Sequence, residues 1–279
     1  MNIGFPVCET VQRRVSVRGY DGSKVSEALR EQIQAYADSL QNPLGPKVRV
    51  KLIDKDTAAG GEKLGTYGII KGTNLYFGTA VPKDEHALEA LGYEVEQLVL
   101  YLTHLGLGTC WLGGTFNKGA FAKAMEVTQD EIFTIVSPVG YPAENLRLIE
   151  RIMASSTKRE SRQGWEVMFF DGDFQTPLTP EAAGEYRTAL DMVRRAPSAV
   201  NKQPWRVVKQ GGAFHFFEQH TMPAKEAGFV DLQRVDVGIA ICHFHLTVLE
   251  QGLPGRLERV EHGIALPKGV DYITSWIGE

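Results

Sequence analysis

Three short segments combine residue types and spacings that suit a ligand with a phosphate and a flat polar ring. The first is Arg13-Arg14-Val15-Ser16-Val17-Arg18. In an extended backbone alternate residues face opposite sides, so Arg14, Ser16 and Arg18 project together while Val15 and Val17 anchor the other side. Two guanidiniums and a hydroxyl on one face suit a phosphate dianion, because arginine offers planar donors that stay charged. A solvated basic edge strand is the other reading of the same residues.

The second segment is Pro197-Ser198-Ala199-Val200-Asn201-Lys202-Gln203-Pro204-Trp205. Its prolines restrict the backbone, and Ser198, Asn201 and Gln203 present neutral donors and acceptors between them. Such a loop suits the edge of a heteroaromatic ring, or serves as an ordinary polar turn. The third segment runs from Gly106 to Phe116 and includes Gly113-Gly114. It follows a helix, so it is not a dinucleotide-binding fingerprint, which follows a strand and opens a helix. Its glycines let backbone N–H groups approach a flat ligand, or form a helix cap and a packed loop.

The remaining reactive residue types carry no comparable pattern. Cys8, Cys110 and Cys242 are odd in number and show no Cys-x-x-Cys spacing, so they indicate neither a disulfide framework nor a zinc site. His243 and His245 are two apart on a helical stretch and do not share a face. Asp171-Gly172-Asp173 reads as a turn. No metal site is expected, and no side chain is assigned as a catalytic acid or base.

These segments sit in a chain that loosely repeats itself. One helical face is formed by Val25, Leu29, Ile33 and Tyr36, and the same spacing recurs at Ala182, Tyr186, Leu190 and Val193. Each stretch leads into an Ala-x-Ser-x-x-Asn segment, Ala37 to Asn42 and Ala196 to Asn201. Strands are expected near Val48–Leu52 and from Trp205, with Gly211-Gly212 as a hairpin turn. Long amphipathic helices follow, over about 85–105 and 236–251. Gly92 and Gly106 in the first match Gly238 and Gly252 in the second, in order and in spacing. The second half then has one shorter loop, placed opposite Asp54–Gly65. The expected domains are residues 1–170 and 171–279, each of mixed α+β type.

Composition limits the function classes. A net charge of −4 gives no bulk attraction to nucleic acid or anionic membrane. No apolar run is long enough to span a bilayer, and the first residues lack the order of a signal peptide. A cytoplasmic protein is expected.

Taken together, the segments resemble the FMN-dependent nitroreductase family and follow its order. Arg14, Ser16 and Arg18 match its Arg-x-Ser-x-Arg opening, and Pro197 to Trp205 match its Pro-Ser-x-x-Asn-x-Gln-Pro-Trp motif. Gly106 to Trp111, Gly140-Tyr141-Pro142 and Lys158-Arg159 look like its later parts. The motifs are divided between the halves, as in a subgroup of fused nitroreductase-like proteins. The first half has Asn42-Pro43-Leu44 where Gln-Pro-Trp would follow, and the second has no arginines around Gln175–Leu178.

The resemblance implies a three-layer fold, a mixed sheet flanked by helices, with the halves forming an intrachain pseudo-dimer and a chain that works as a monomer. It implies that Arg14, Ser16 and Arg18, assisted by Lys158 and Arg159, hold the FMN phosphate. Gly113 and Gly114 would lie near N5, and Pro197, Ser198, Ala199 and Asn201 would border the ribityl chain and ring. Lys71 and Asn74 fall where the family places further polar ring contacts. The implied activity passes electrons from NADH or NADPH through flavin to a nitroaromatic, quinone or similar small acceptor. A non-catalytic flavin-binding protein, or a flavoenzyme of different chemistry such as reductive dehalogenation, is the alternative.

Overall fold

The structure, a computed structural model, describes residues 3–56, 64–144, 161–221 and 230–279. In chain order the elements are α1 (Val7–Arg13), α2 (Glu27–Ser39), β1 (Arg49–Asp54), β2 (Leu75–Pro82), α3 (Ala87–His104), β3 (Gly108–Thr109), α4 (Lys118–Ala124) and β4 (Glu131–Gly140). They continue with β5 (Phe169–Asp171), α5 (Arg187–Arg195), β6 (Trp205–Gln210), β7 (Ala213–Gln219), α6 (Leu232–Glu250), β8 (Gly255–Glu258) and β9 (Val270–Gly278). The chain divides into two compact units. A four-stranded unit comprises Arg13–Ala87 and Glu94–Glu160, and a five-stranded unit comprises Met1–Gln12, Leu88–Tyr93 and Ser161–Glu279.

The repeat read from the sequence appears as a repeat of sheet topology. The first sheet has the order β1-β2-β4-β3, and the second has β5-β6-β7-β9-β8. Without β5, which joins β6 in parallel, the second order reproduces the first and every pairing is antiparallel. Both sheets break register in the equivalent pair, at Thr79/Ala80 between β2 and β4 and at Phe216/Phe217 between β7 and β9. A bulge bends and twists the bulged strand, so its recurrence at one topological position fits two versions of one design.

Local chemistry sets the helix limits. Ser26 caps α2 by accepting the Leu29 N–H, and Ile33 and Ala37 form its buried face. At the end of α3, Gly106 has φ +79, and the N–H groups of Gly106 and Leu107 donate to Thr103 and Leu102. This left-handed stop satisfies terminal carbonyls at little steric cost to glycine. The helix expected from Ala182 opens instead with a short 3-10 turn, Gly184–Tyr186, and α5 proper starts at Arg187. Asp231 caps α6 through the Gln233 N–H, so that helix begins before the expected Asp236.

The two glycines aligned by the repeat meet within the five-stranded unit. A Cβ at Gly92 would collide with the Val235 carbonyl oxygen and lie 3.1 Å from the Gly238 Cα. A Cβ at Gly238 would collide with the Glu89 carbonyl oxygen. The first turns of α3 and α6 therefore touch backbone to backbone, which only glycine permits. The length difference between the halves differs from the single shorter loop expected. The β1–β2 connection, Lys55–Asn74, is reduced to Gly211–Gly212, whereas the strand-to-helix step grows from Lys83–His86 to His220–Asp231.

Each unit has its own core. In the four-stranded unit Phe116 makes edge contacts with Phe121 and Phe133, among Val17, Tyr20, Tyr76 and Val136. In the five-stranded unit Phe244 on α6 packs against Phe214, Phe216 and Trp276 from the sheet. Cys110 and Cys242 are buried, while Cys8 is half-buried beside Glu250. Burial, then the Glu250 carboxylate, pushes the Cys8 thiol up to about 12, which removes its nucleophilic form. Among the described residues no helix is long and apolar enough to cross a membrane.

Candidate functional site

Arg14 to Tyr20 run extended after α1 and are clamped on two sides within the four-stranded unit. Ser16 bridges Thr109 in parallel, and the Val17 N–H donates to the Thr109 carbonyl at 2.7 Å. Two residues on, the Lys71 N–H donates to Arg18 and the Tyr20 N–H donates to Lys71. The structure thus joins the basic segment to the glycine-rich segment and places Lys71 beside Arg18. Gly108 is required at this junction, because a Cβ there would lie 2.8 Å from the Val17 Cβ. The predicted alternation holds on one side only. Val17 is buried, but Val15 is 53% exposed and anchors nothing.

Arg14 is held differently from Arg18. Its side chain is only 7% exposed, its Nε makes no hydrogen bond, and the nearest acid is Glu96 Oε1 at 3.7 Å. The other Glu96 oxygen accepts from Trp111 Nε1 at 3.0 Å. Glu96 is fully buried on α3 and joins both motifs, a role the sequence reading missed. The signal was available, since Glu94, Glu96 and Gln97 interrupt an apolar helix. Glu94 is a structural counterpart. It accepts from Asn42 and from the Val48 N–H, and burial pushes its carboxyl up to about 7.

Gly113 and Gly114 form a bend after Leu112, which pairs with Val136. Gly114 is exposed, and a Cβ there would meet nothing within 4 Å. Asn74 donates to Asp56 at 2.7 Å and lines a cavity of about 350 Å³ with Lys24, Arg30 and Asp54. Lys158 and Arg159 lie outside the described residues.

The Pro197–Trp205 loop belongs to the five-stranded unit. Val200, Asn201 and Gln203 have φ of 47, 57 and 52, in the left-handed region that non-glycine residues avoid. Such strain persists only where neighbours over-determine it. Both oxygens of Asp236 accept the Ala199 N–H, and Ser198 Oγ accepts the Gln203 N–H at 2.9 Å. The Asn201 amide donates to the Ser161 carbonyl, and its oxygen accepts from Arg162 and Gln203. Gln203 in turn accepts the Gln163 N–H. Asn201 therefore also anchors the segment Ser161–Gln163. Val200, by contrast, is 86% exposed at the loop's tip.

Behind this loop lies an acidic cluster that no sequence pattern announced. Glu89, Glu218 and Asp236 are buried, and Glu218, His220 and Asp231 bring potential ligand atoms within 4.8 Å of one another. The cluster carries its own counter-charge, since Arg234 lies 3.1 Å from Glu89 and 3.7 Å from Glu218. Burial, then the Asp231 carboxylate, pushes Glu218 up to about 8 from 4.5. Below the lower value both folded and unfolded states hold the proton. Between the two values only the folded state does, so this group lowers stability as pH rises through that window. Glu218→Gln is expected to stabilise the protein by on the order of 3 kcal/mol at pH 8 and by little at pH 4.5. Thermal unfolding across that range checks this, and parallel curves for the two proteins would contradict it.

His243 and His245 are tied into the packing of α6. His243 Nδ1 bonds the Met192 carbonyl, and His245 bonds the Tyr93 hydroxyl while burial lowers it to about 4. Asp171 to Asp173 form a turn in which Asp173 accepts the N–H groups of Gln175 and Thr176.

Known proteins bear on this arrangement. The family described as "Putative TM nitroreductase" matches residues 6–248. A "putative nitroreductase" from Thermotoga maritima aligns over 99% of this chain and 94% of its own, with 20% identity and a TM-score of 0.62. A nitroreductase family protein from Clostridium novyi NT aligns over 51% of this chain and 88% of its own (15% identity, TM-score 0.41). An FMN-dependent nitroreductase from Clostridium difficile R20291 aligns over 48% and 87% (17% identity, TM-score 0.39). No curated protein matches the sequence. With the family match running from before Arg14 to beyond Pro197–Trp205, and a mixed α+β fold shared with the Thermotoga protein along its whole length, this chain belongs to the TM nitroreductase family.

Proposed function

We propose that the protein is an FMN-dependent oxidoreductase that uses NADH or NADPH to reduce nitroaromatic, quinone or similar small acceptors. The observation that carries this reading is the Arg14–Arg18 segment, held extended against Thr109 and Lys71 in a chain of the nitroreductase family. The residues fit the group. Arg14 Nε is a buried donor without a hydrogen bond, with its nearest acid, Glu96, 3.7 Å away, and a guanidinium so loosely paired suits a further anion.

In this reading Arg14, Ser16 and Arg18 hold the phosphate, with Lys158 and Arg159 adding charge. The N–H groups of Gly113 and Gly114 would lie near N5, where donors favour the reduced flavin. Pro197, Ser198, Ala199 and Asn201 border the ribityl chain and ring, in a loop shaped by Asp236 and Ser198. Bound FMN would supply the electron-transfer chemistry itself, so the protein's part is position and electrostatics. Donor and acceptor use one place in turn, which gives ping-pong kinetics. The second half lacks arginines at Gln175–Leu178, so it offers no second phosphate site of this kind. One flavin per chain follows, and a monomer with an internal pseudo-dimer suffices. Titration of flavin-free protein with FMN should saturate at one equivalent. Saturation at two would overturn the single site, and absence of binding would overturn the reading.

A further inference from the structure

Glu96 occupies a position that neither motif explains. It is fully buried on α3, with one carboxylate oxygen on Trp111 Nε1 at 3.0 Å and the other 3.7 Å from Arg14 Nε. A buried carboxylate is costly unless its oxygens are used, and here each is directed at a different flavin motif. Arginine's donors form a rigid planar fork, so an anion held beside the Nε edge favours one plane for the other donors.

We infer that Glu96 is a positioning residue for the FMN phosphate, setting the plane of Arg14 and tying it to Trp111, and so to the Gly113-Gly114 bend. This rests on the flavin reading above. Its specific content is that the reach and the charge of Glu96 act through Arg14 and not on the phosphate itself. A negative charge near the phosphate repels it, so the carboxylate is not there to strengthen phosphate binding electrostatically.

The test compares FMN with riboflavin, which lacks the phosphate, by fluorescence titration of wild type, Glu96→Asp and Glu96→Gln. Aspartate keeps the charge and shortens the reach. Glutamine keeps the reach and one acceptor oxygen for Trp111, but places an NH2 donor opposite Arg14 and removes the ion pair. Glu96→Asp is expected to weaken FMN about 10-fold, since a misplaced charge-assisted contact costs roughly that much, and to leave riboflavin unchanged. Glu96→Gln, which loses the ion pair to Arg14, is expected to weaken FMN to a similar degree and to leave riboflavin unchanged.

Equal weakening of both flavins by Glu96→Asp would mean a purely structural role and overturn the inference. So would wild-type behaviour of Glu96→Asp beside a weakened Glu96→Gln, which would make Glu96 a simple counter-ion. Unchanged preference in both variants of an FMN-selective wild type would overturn the role of Glu96 alone. A wild type that binds neither flavin would overturn the flavin reading and this inference with it.

Discussion

Arg14→Ala combined with Arg18→Ala is expected to give a folded, colourless protein that purifies without flavin. Both arginines lie on the segment pinned by Thr109 and Lys71, so the rest of that segment keeps its hydrogen bonds when they are removed. A hydrogen bond to a charged group contributes about 1.5–3 kcal/mol, so losing two should weaken FMN binding by about 10²- to 10⁴-fold. Riboflavin binding should change far less. Removing Arg14 also strips buried Glu96 of a cation 3.7 Å away, so a lower melting temperature is expected alongside. Circular dichroism then separates loss of flavin from loss of fold. A folded double variant with a full complement of FMN would show that the phosphate is bound elsewhere.

The second large effect is one of stability. Gly238→Ala should destabilise the protein by about 3 kcal/mol or more, although alanine is the better helix former by roughly 1 kcal/mol. The new Cβ meets the Glu89 carbonyl oxygen, with the carbonyl carbon at 2.9 Å and the Cα at 3.0 Å. All three are backbone atoms of a helix and cannot rotate aside, so the first turns of α3 and α6 would have to separate. A drop of about 6–12 °C in melting temperature is expected for a chain of this size. Gly92→Ala should behave alike, and the double variant should cost less than the sum because both disturb one contact. Gly119→Ala on α4 is the control, since its Cβ would meet only Asn117 Oδ1 at 3.7 Å. A melting temperature that rises in Gly238→Ala would contradict the close crossing.

The same glycines show what the sequence made legible. Their matched spacing in two apolar helices was readable because a repeat preserves positions where only hydrogen fits. The strands near Val48–Leu52 and from Trp205, the Gly211-Gly212 hairpin and the ends of α3 followed from periodicity and turn chemistry. The bulges at Thr79/Ala80 and Phe216/Phe217 were not readable, because they change pairing without changing pattern.

At the site, the basic segment and the glycine-rich segment were each readable from their residue types. Their contact through Ser16 and Thr109 joins residues far apart in sequence and leaves no local trace. Val15 escaped the alternation argument because a short clamped segment has a packed neighbour on only part of its length. Asn201 read as a donor and acceptor for a ring edge, and the backbone of Ser161 and the side chain of Arg162 already engage both its ends. The cluster of Glu89, Glu218, Asp231 and Asp236 comes from three separate elements, so no window of sequence contains it.

The central claim is that this chain carries FMN as a working redox group. The most direct measurement is an absorbance spectrum of the FMN-loaded protein, taken without oxygen before and after NADH or NADPH is added. A yellow protein with one FMN per chain, whose visible absorbance is lost on addition and returns with a quinone or nitroaromatic, is the predicted result. A yellow protein that stays yellow with both nucleotides would contradict the claim and leave a flavin-binding role in its place.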